Sequence, residues 1–463
     1  MNLSLTNTFS QKNKMRALFG RPKRICFVGI GGIGMHALAI FMAARGHTVV
    51  GSDRAPTPAV MAALTAHGIS VVKGHVAEAA YGCDALVYSL AVPPDTPELC
   101  AARERGIPCF SRADLLGYLM ADYPTRVAVA GMHGKSTVTA MTAAILAAAG
   151  KEPTVLSGAP LAAGVPAYRA GGGQIFLAEA CEYRDSFLCL DPTVAVVLNA
   201  ELEHTDHFHS EEQVRRSFTS FMRGAGTVIL PAAPMRVGLI PPQGARVLTF
   251  GAEREADLCA ENILFEGGKP AFDLVFQGKK HGRVKLDLLG EHNVLNALAA
   301  IAAAYACGLP PEAALSPLAA FRGAPMRLEE KGEKNGLLLF ADYAHHPTEI
   351  RASLASLRRV ARERGGRLLC LFQPHTYSRT ASFFCDFVGA LSAADLAILV
   401  DIYAAREQNE SGVSSHQLAN ALARGRYAGG LAEAAALLLR KARQGDVAVV
   451  MGAGDVHRIF SLL

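Results

Sequence analysis

The segment VAVAGMHGKSTVTA places Gly131, Gly134, Lys135 and Ser136 between an apolar run of strand character and a run of helical period. Phosphate is held at such a turn, where glycines let backbone N–H groups close around its oxygens and the helix N-terminus presents positive partial charge. Lys135 would bring a fixed cation to the transferring phosphoryl group and the Ser136 hydroxyl can ligate Mg²⁺; Thr137 adds a second hydroxyl, and His133 lies inside the loop. The full P-loop pattern is not met, because Val129 stands where its first glycine belongs, so a shortened loop is expected. A bare Gly-Lys-Ser tripeptide reads more simply as a turn with a solvated lysine; the flanking strand and helix reverse that choice.

Two further apolar runs end in polar residues. IFLAEACEYRDSFL leaves Glu179 at the end of one, and VAVVLNAELEHTDHF leaves Asn199, Glu201, Glu203 and His204 at the end of the next. Ligands of α/β sheets collect beyond the carboxyl ends of strands, so Glu179 and a neutral His204, with Ser136, form a candidate set for divalent cations beside the phosphates. Either residue alone is an ordinary polar strand end. Their shared position after consecutive strands argues for metal, with His207 and His209 as bystanders.

Near the start, FVGIGGIGMHALAI carries Gly29, Gly31, Gly32 and Gly34, and Asp53 ends the following apolar run. The G-x-G-x-x-G spacing with a later carboxylate suits a dinucleotide, yet its physics is only that a helix N-terminus approaches a diphosphate closely. A nicotinamide cofactor and a uridine diphosphate satisfy it equally.

Later segments add a second polar set. LLGEHNVLNALAA opens a helix with His292, Asn293 and Asn296, where an amide bearing donor and acceptor can read an adenine edge, or simply cap the helix. PMRLEEKG offers Arg327, a cation able to reach a γ-phosphate from another domain. LLFADYAHHPTEI supplies Asp342, His345 and His346, and LCLFQPHTYSRTASFF supplies His375 and Arg379 at another strand end, where Arg379 can pair bidentately with a carboxylate.

Taken together, these strings resemble the motifs of the Mur ligases: the short G-T-x-G-K-[ST]-T loop, with Met132 in place of threonine; E-A-x-E; N-x-E-x-D-H, with Glu203 where aspartate is commoner; G-x-H-N-x-x-N-A-x-A-A; R-x-E; and D-Y-A-H-x-P. FQPHTYSRT, with VDIYAAREQNESGVSS and VVMGAGDV, is similar to the branch that adds alanine, and the resemblance runs from Arg24 to the end. It implies an ATP-dependent ligase of peptidoglycan synthesis whose substrates are UDP-N-acetylmuramate and L-alanine, with ATP and two Mg²⁺ ions as cofactors. Lys135, His204, Arg327 and His346 would be catalytic. Gly131, His133, Gly134, Ser136, Thr137, His292, Asn296 and Asp342 would join Lys135 and Arg327 in binding ATP. The resemblance gives the UDP portion to the first domain, through the four glycines, Asp53, Ser89 and Arg112, and the substrate carboxylates to His345, His375 and Arg379. A ligase adding a preformed peptide in wall recycling shares most of these motifs, and a nicotinamide-dependent oxidoreductase explains only the first.

The elements that must hold these residues follow from the alternation of short apolar runs with alanine- and leucine-rich helical segments, which is α/β patterning with parallel sheets. The strand-to-helix beginning recurs near residues 25, 126 and 337. A Rossmann-like domain is therefore expected over residues 24–123, a central P-loop mononucleotide-binding ATPase domain over 124–322 with a hairpin at its edge, and a Rossmann-like C-terminal domain over 323–463. Residues 1–23 read as a basic solvated tail, with Lys12, Lys14, Arg16, Arg21 and Lys23 running up to Arg24. With 463 residues, 51% apolar and 19% charged, the chain has material for several cores. Net charge of +5, partly in the tail, argues against a nucleic-acid partner. No apolar stretch is long enough for a membrane span, and the ten scattered cysteines suit a reducing cytoplasm. A monomer or homodimer is expected. Lys135→Ala is expected to abolish phosphate release with little loss of stability.

Overall fold

The computed structural model describes residues 8–203, 207–232, 238–405 and 407–463. They form two compact units, Met1–Phe250 with Ala299–Pro311, and Gly251–Leu298 with Glu312–Leu463.

In the first unit, β1 (Arg24–Val28), α2 (Ile33–Ala44), β2 (Thr48–Asp53), α3 (Pro58–Ala66), β3 (Ser70–Lys73), β4 (Ala85–Tyr88), α4 (Pro97–Glu104), β5 (Cys109–Ser111) and α5 (Arg112–Met120) follow α1 (Thr8–Phe19). Among the described residues the strands form a five-stranded parallel sheet in the order β3-β2-β1-β4-β5. The chain reverses direction of winding between β1 and β4, and that crevice is where such a sheet binds its ligand. Local chemistry starts the helices: Thr57 caps α3 ahead of Pro58, and Ser111 with Asp114 forms a capping box on α5.

The middle sheet begins with β6 (Thr125–Ala130), then α6 (Lys135–Ala148), β7 (Thr154–Leu156), β8 (Tyr168–Arg169), β9 (Ile175–Glu179), β10 (Val194–Val197), α7 (Glu211–Met222), β11 (Thr227–Pro231) and β12 (Arg246–Gly251). Their order is β12-β11-β10-β6-β9-β7-β8. β6 is thus flanked by β9, with Val129 opposite Glu179, and by β10, with Ala130 opposite Val197. Four neighbouring strands deliver Gly131, Glu179, Ser157 and Asn199 to one edge.

The leading segment is not a solvated tail. α1 packs on α5, with the side chains of Met15 and Phe19 buried and the Phe19 ring edge-on to His47 and Phe110. It carries Lys12, Lys14 and Arg16, but Met15 and Phe19 lie four apart on one face, which is sufficient to dock it. One buried apolar cluster runs from Met15 through the first sheet to Phe187, Phe218 and Phe221 of the middle domain. The two domains also meet at Gly117, where an added Cβ would fall 2.2 Å from the Cys189 carbonyl oxygen.

The second unit contains the meander β13 (Leu258–Glu266), β14 (Lys269–Phe276) and β15 (Lys279–Lys285), then the start of α8 (His292–Ala306). The β14–β15 turn has positive φ at Gln277 (47°) and Gly278 (75°), the backbone of a type I′ hairpin. The second strand of the hairpin begins directly after it, at Lys279. The meander packs within this unit, where the Arg359 guanidinium lies 3.7 Å over the Phe265 ring.

α9 (Leu315–Ala320), β16 (Glu329–Lys334), β17 (Leu337–Asp342), α10 (Pro347–Glu363), β18 (Leu368–Phe372), α11 (Tyr377–Ser382), α12 (Phe384–Leu391), β19 (Leu396–Leu399), α13 (Ser415–Asn420), β20 (Gly425–Tyr427), α14 (Leu431–Lys441) and β21 (Val447–Met451) complete the chain. The six-stranded sheet, in the order β16-β17-β21-β18-β19-β20 among the described residues, is parallel except for β16. Asp342 and Phe372 both stand opposite Met451, so the chain after each strand converges on the same edge.

If α1 is part of the core, Met15→Ala lowers unfolding stability by about 2–4 kcal/mol, while Lys14→Ala changes it by less than about 0.5 kcal/mol. Guanidinium unfolding followed by circular dichroism measures both; equal, negligible effects would restore the tail.

Candidate active site

Gly134 adopts φ 85° as the N-cap of α6, a left-handed conformation that lets the chain turn sharply from β6 into the helix. Asn199, arriving from β10, clasps the loop: its Oδ1 accepts from the His133 N–H at 2.9 Å, and its Nδ2 donates to the His133 carbonyl at 3.1 Å. Met132, whose side chain is buried in the core, turns its carbonyl toward Lys135. The departure from threonine therefore serves packing.

Lys135 donates to the Gly131 and Met132 carbonyls at 2.5 and 3.1 Å, and lies 2.9 Å from Glu182 Oε2. Its side chain is 13% exposed and that of Glu182 only 2%. Burial by itself would lower the Lys135 pKa, but the carboxylates of Glu182 and Glu179 outweigh it and hold the ammonium above its usual range. The lysine is a fixed cation at any ordinary pH. Glu182 is the second glutamate of E-A-x-E; the motif contained it, but nothing in its spacing revealed the partner.

Glu179 Oε2 accepts from Ser136 Oγ at 2.8 Å, from Ser157 Oγ at 3.3 Å and from the Gly158 N–H at 2.7 Å. A carboxylate and a hydroxyl thus adjoin at the start of α6, and this hard-oxygen set fits Mg²⁺, which takes few protein ligands and keeps water or phosphate for the rest. Among the described residues no three His, Cys, Asp or Glu side chains cluster as a metal site. His204 lies outside the described residues. His207 is engaged, its Nε2 3.0 Å from Asp185 Oδ2. Thr137 is buried in the first turn of α6.

In the first domain, Asp53 Oδ2 accepts from the Gly31 N–H at 2.8 Å and Oδ1 from the Ala55 N–H at 3.0 Å. An added Cβ at Gly31 would lie 2.8 Å from that carboxylate, so only glycine permits the approach. Gly29 lies against Ser89 and Val92, Gly32 caps α2, and Arg112 at the start of α5 lies beside Gly34. The seven residues expected to hold the UDP portion are thus gathered around the β1–α2 turn.

The second unit assembles the remaining set. Asp342, buried at the end of β17, accepts from the Ala344 N–H at 3.2 Å and from Ser353 Oγ. Burial raises its carboxyl to about 6. His346 caps α10 through Nδ1, at 3.3 Å from the Thr348 N–H, in a capping box with Glu349. His345 holds its Nδ1 3.1 Å from the Tyr343 carbonyl, and its ring lies edge-on to His375. His375 stacks on Tyr403, and Arg379 NH1 lies 3.2 Å from its Nδ1. The Arg327 guanidinium lies 5.3 Å over the Tyr343 ring, between Met326 and Leu328, which both have positive φ. Asn296 Nδ2 donates to Asn293 Oδ1 at 2.9 Å, and Asn293 Nδ2 to the Leu289 carbonyl. Tyr343, the tyrosine of D-Y-A-H-x-P, and Tyr403 join this group, as do Ser353 and Glu349, to which the sequence reading gave no role.

Three stretches match known family models: residues 24–124 the Mur ligase family catalytic domain, 129–304 the Mur ligase middle domain, and 326–454 the Mur ligase glutamate ligase domain. The chain belongs to the Mur ligase family. It is 40% identical over 451 residues to the UDP-N-acetylmuramate–L-alanine ligase of Agathobacter rectalis, covering 95% of this chain and 97% of that one. To the enzyme of the same name from Renibacterium salmoninarum it is 41% identical over 447 residues, covering 94% and 93%. Among solved structures, UDP-N-acetylmuramate-alanine ligase MurC of Thermotoga maritima superposes with a TM-score of 0.80 at 27% identity, over 95% of this chain and 98% of that one. The murein peptide ligase of Psychrobacter arcticus has the same fold, with a TM-score of 0.72 at 24% identity over 95% and 98%. This Mur ligase has three α/β domains, the middle one ATP-binding.

The expectation that Lys135 is dispensable for stability does not survive its burial. Removing one partner of a buried ion pair leaves the other charge uncompensated, so Lys135→Ala costs about 3–5 kcal/mol, part of which returns in Lys135→Ala with Glu182→Gln. A double-mutant cycle in urea measures this; additive losses would contradict it.

Acid titration gives a second expectation. Burial lowers His292 and His375 to about 4 and His345 to about 3, below the ordinary 6.5. The folded state then binds fewer protons than the unfolded chain across that window, and stability falls as pH drops from 6.5 toward 4. Asp342 acts oppositely, binding its proton more tightly when folded between 3.8 and about 6. His345→Gln should therefore show a shallower loss of thermal midpoint between pH 6.5 and 4 than the parent; parallel curves would refute the assignment.

Proposed function

We propose that this Mur ligase joins L-alanine to the carboxyl group of UDP-N-acetylmuramate with hydrolysis of ATP, a cytoplasmic step of peptidoglycan synthesis. The observation that carries the reading is identity of about 40% along nearly the whole chain to relatives named for that reaction. The FQPHTYSRT segment, with His375 and Arg379 in contact, supports the same branch. No helix among the described residues is long and apolar enough to cross a membrane.

The muramate carboxylate attacks the γ-phosphorus of ATP, ADP leaves, and the resulting acyl phosphate is opened by the L-alanine amine through a tetrahedral intermediate that expels phosphate. Lys135, ammonium throughout, neutralises charge gathering on the transferring phosphoryl oxygens, and the loop N–H groups fix its orientation. Mg²⁺, when held by Ser136 and by Glu179 with His204 as a pair of ions, supplies further charge neutralisation to phosphate and carboxylate. Arg327 acts on the γ-phosphate, Asp342 and Asn296 on the nucleoside, and His346 orients its loop. Arg379, with His345 and His375 as neutral partners, holds the amino-acid carboxylate. The first domain takes the uridine diphosphate at the β1–α2 turn through Gly31, Gly34 and Arg112.

Incubation with ATP, Mg²⁺ and UDP-N-acetylmuramate should release ADP when L-alanine is added and yield the mass of the alanyl product, with a preformed wall peptide in its place giving little. Turnover with the peptide and none with L-alanine would move the chain to the recycling branch. Lys135→Ala should lower turnover at least about 10³-fold, and near-normal turnover would remove the lysine from the mechanism.

A further inference from the structure

Between β18 and α11, Thr376 has φ 66° and ψ 146°, a backbone conformation that glycine adopts readily and a β-branched residue resists. Contacts on both sides hold it there. Its N–H donates to the Tyr403 carbonyl at 2.9 Å, and its own carbonyl accepts from Thr380 Oγ1 at 2.7 Å and from the Thr380 N–H at 3.2 Å. Its Oγ1 accepts from the Arg379 N–H at 3.4 Å, and the Tyr403 N–H returns to the Pro374 carbonyl at 2.9 Å. Rotating φ back to ordinary negative values would swing one side of the residue against the other, so the bonds to Tyr403 and Thr380 would not both survive.

Each bond fixes a side chain that matters. The bridge to Tyr403 sets His375, whose ring stacks on the Tyr403 ring at 5.6 Å between centroids. The cap on α11 sets Arg379, whose NH1 comes within 3.2 Å of His375 Nδ1. Burial keeps the His375 ring neutral, leaving a lone pair on Nδ1 for that guanidinium.

We propose that Thr376 is a positioning residue, whose left-handed backbone and capping hydroxyl lock His375 and Arg379 into one rigid receptor for the carboxylate of the incoming amino acid. The proposal deepens the assignment of those two residues to amino-acid binding and rests on it. A strained turn with no task would be relieved by glycine at no loss. A turn whose strain aims two side chains loses affinity when it relaxes.

Thr376→Gly relieves the backbone and removes the cap, whereas Thr376→Ser keeps the cap. In the full-length enzyme Thr376→Gly should keep or raise the melting temperature, raise KM for L-alanine at least about ten-fold and leave KM for ATP within about two-fold, with Thr376→Ser near the parent. The ¹⁵N resonance of His375 Nδ1, recorded without substrates, should lose its hydrogen-bonded shift in Thr376→Gly and keep it in Thr376→Ser. An unchanged KM for L-alanine, an equal rise in KM for ATP, or an unchanged Nδ1 resonance overturns the proposal. A parent enzyme that does not use L-alanine sinks the substrate assignment instead, and the resonance then decides the positioning claim.

Discussion

A lysine at a tight glycine turn has to be held against desolvation, and here a buried carboxylate does so. The Lys135–Glu182 pair, supported by two loop carbonyls, sets the ammonium at the turn from β6 into α6. Two charges leave water only when their mutual attraction and added hydrogen bonds offset desolvation, so the pair constrains everything around it. β9 must lie beside β6 to deliver Glu179 and Glu182, and β10 on the other side to bring the Asn199 clasp. The middle sheet is in this sense the frame for one cation.

The second unit solves a different problem, that of keeping several imidazoles uncharged beside arginines. Burial lowers His292, His345 and His375, and the arginines nearby push the same way, so the rings serve as neutral donors and acceptors at ordinary pH. Local backbone strain accompanies this, at Met326 and Leu328 around Arg327 and at Thr376 between His375 and Arg379. Strained conformations persist where surrounding contacts over-determine them, and those contacts are present at each turn.

Much of this arrangement was legible in the amino-acid sequence because strand-end logic is local. Glycine spacing at residues 29–34 and 131–134, and polar residues following apolar runs, placed the loop, Glu179 and the two histidine-bearing segments at the strand ends of α/β sheets. What escaped was non-local. Glu182 reads as one more acid until β9 is laid beside β6, and Asn199 reads as a strand end until it reaches back to His133. Lysine and arginine content hid the apolar face formed by Met15 and Phe19. The positive φ of Thr376 was invisible because a β-branched residue is the last type expected there.

In the proposed reaction a carboxyl oxygen becomes bonded to phosphorus before any amide forms. UDP-N-acetylmuramate labelled with ¹⁸O in its carboxyl group, turned over with ATP and L-alanine, tests it directly. The account predicts one ¹⁸O in each inorganic phosphate released, by mass spectrometry, and one retained in the amide. Amide formed with no label in phosphate would contradict it.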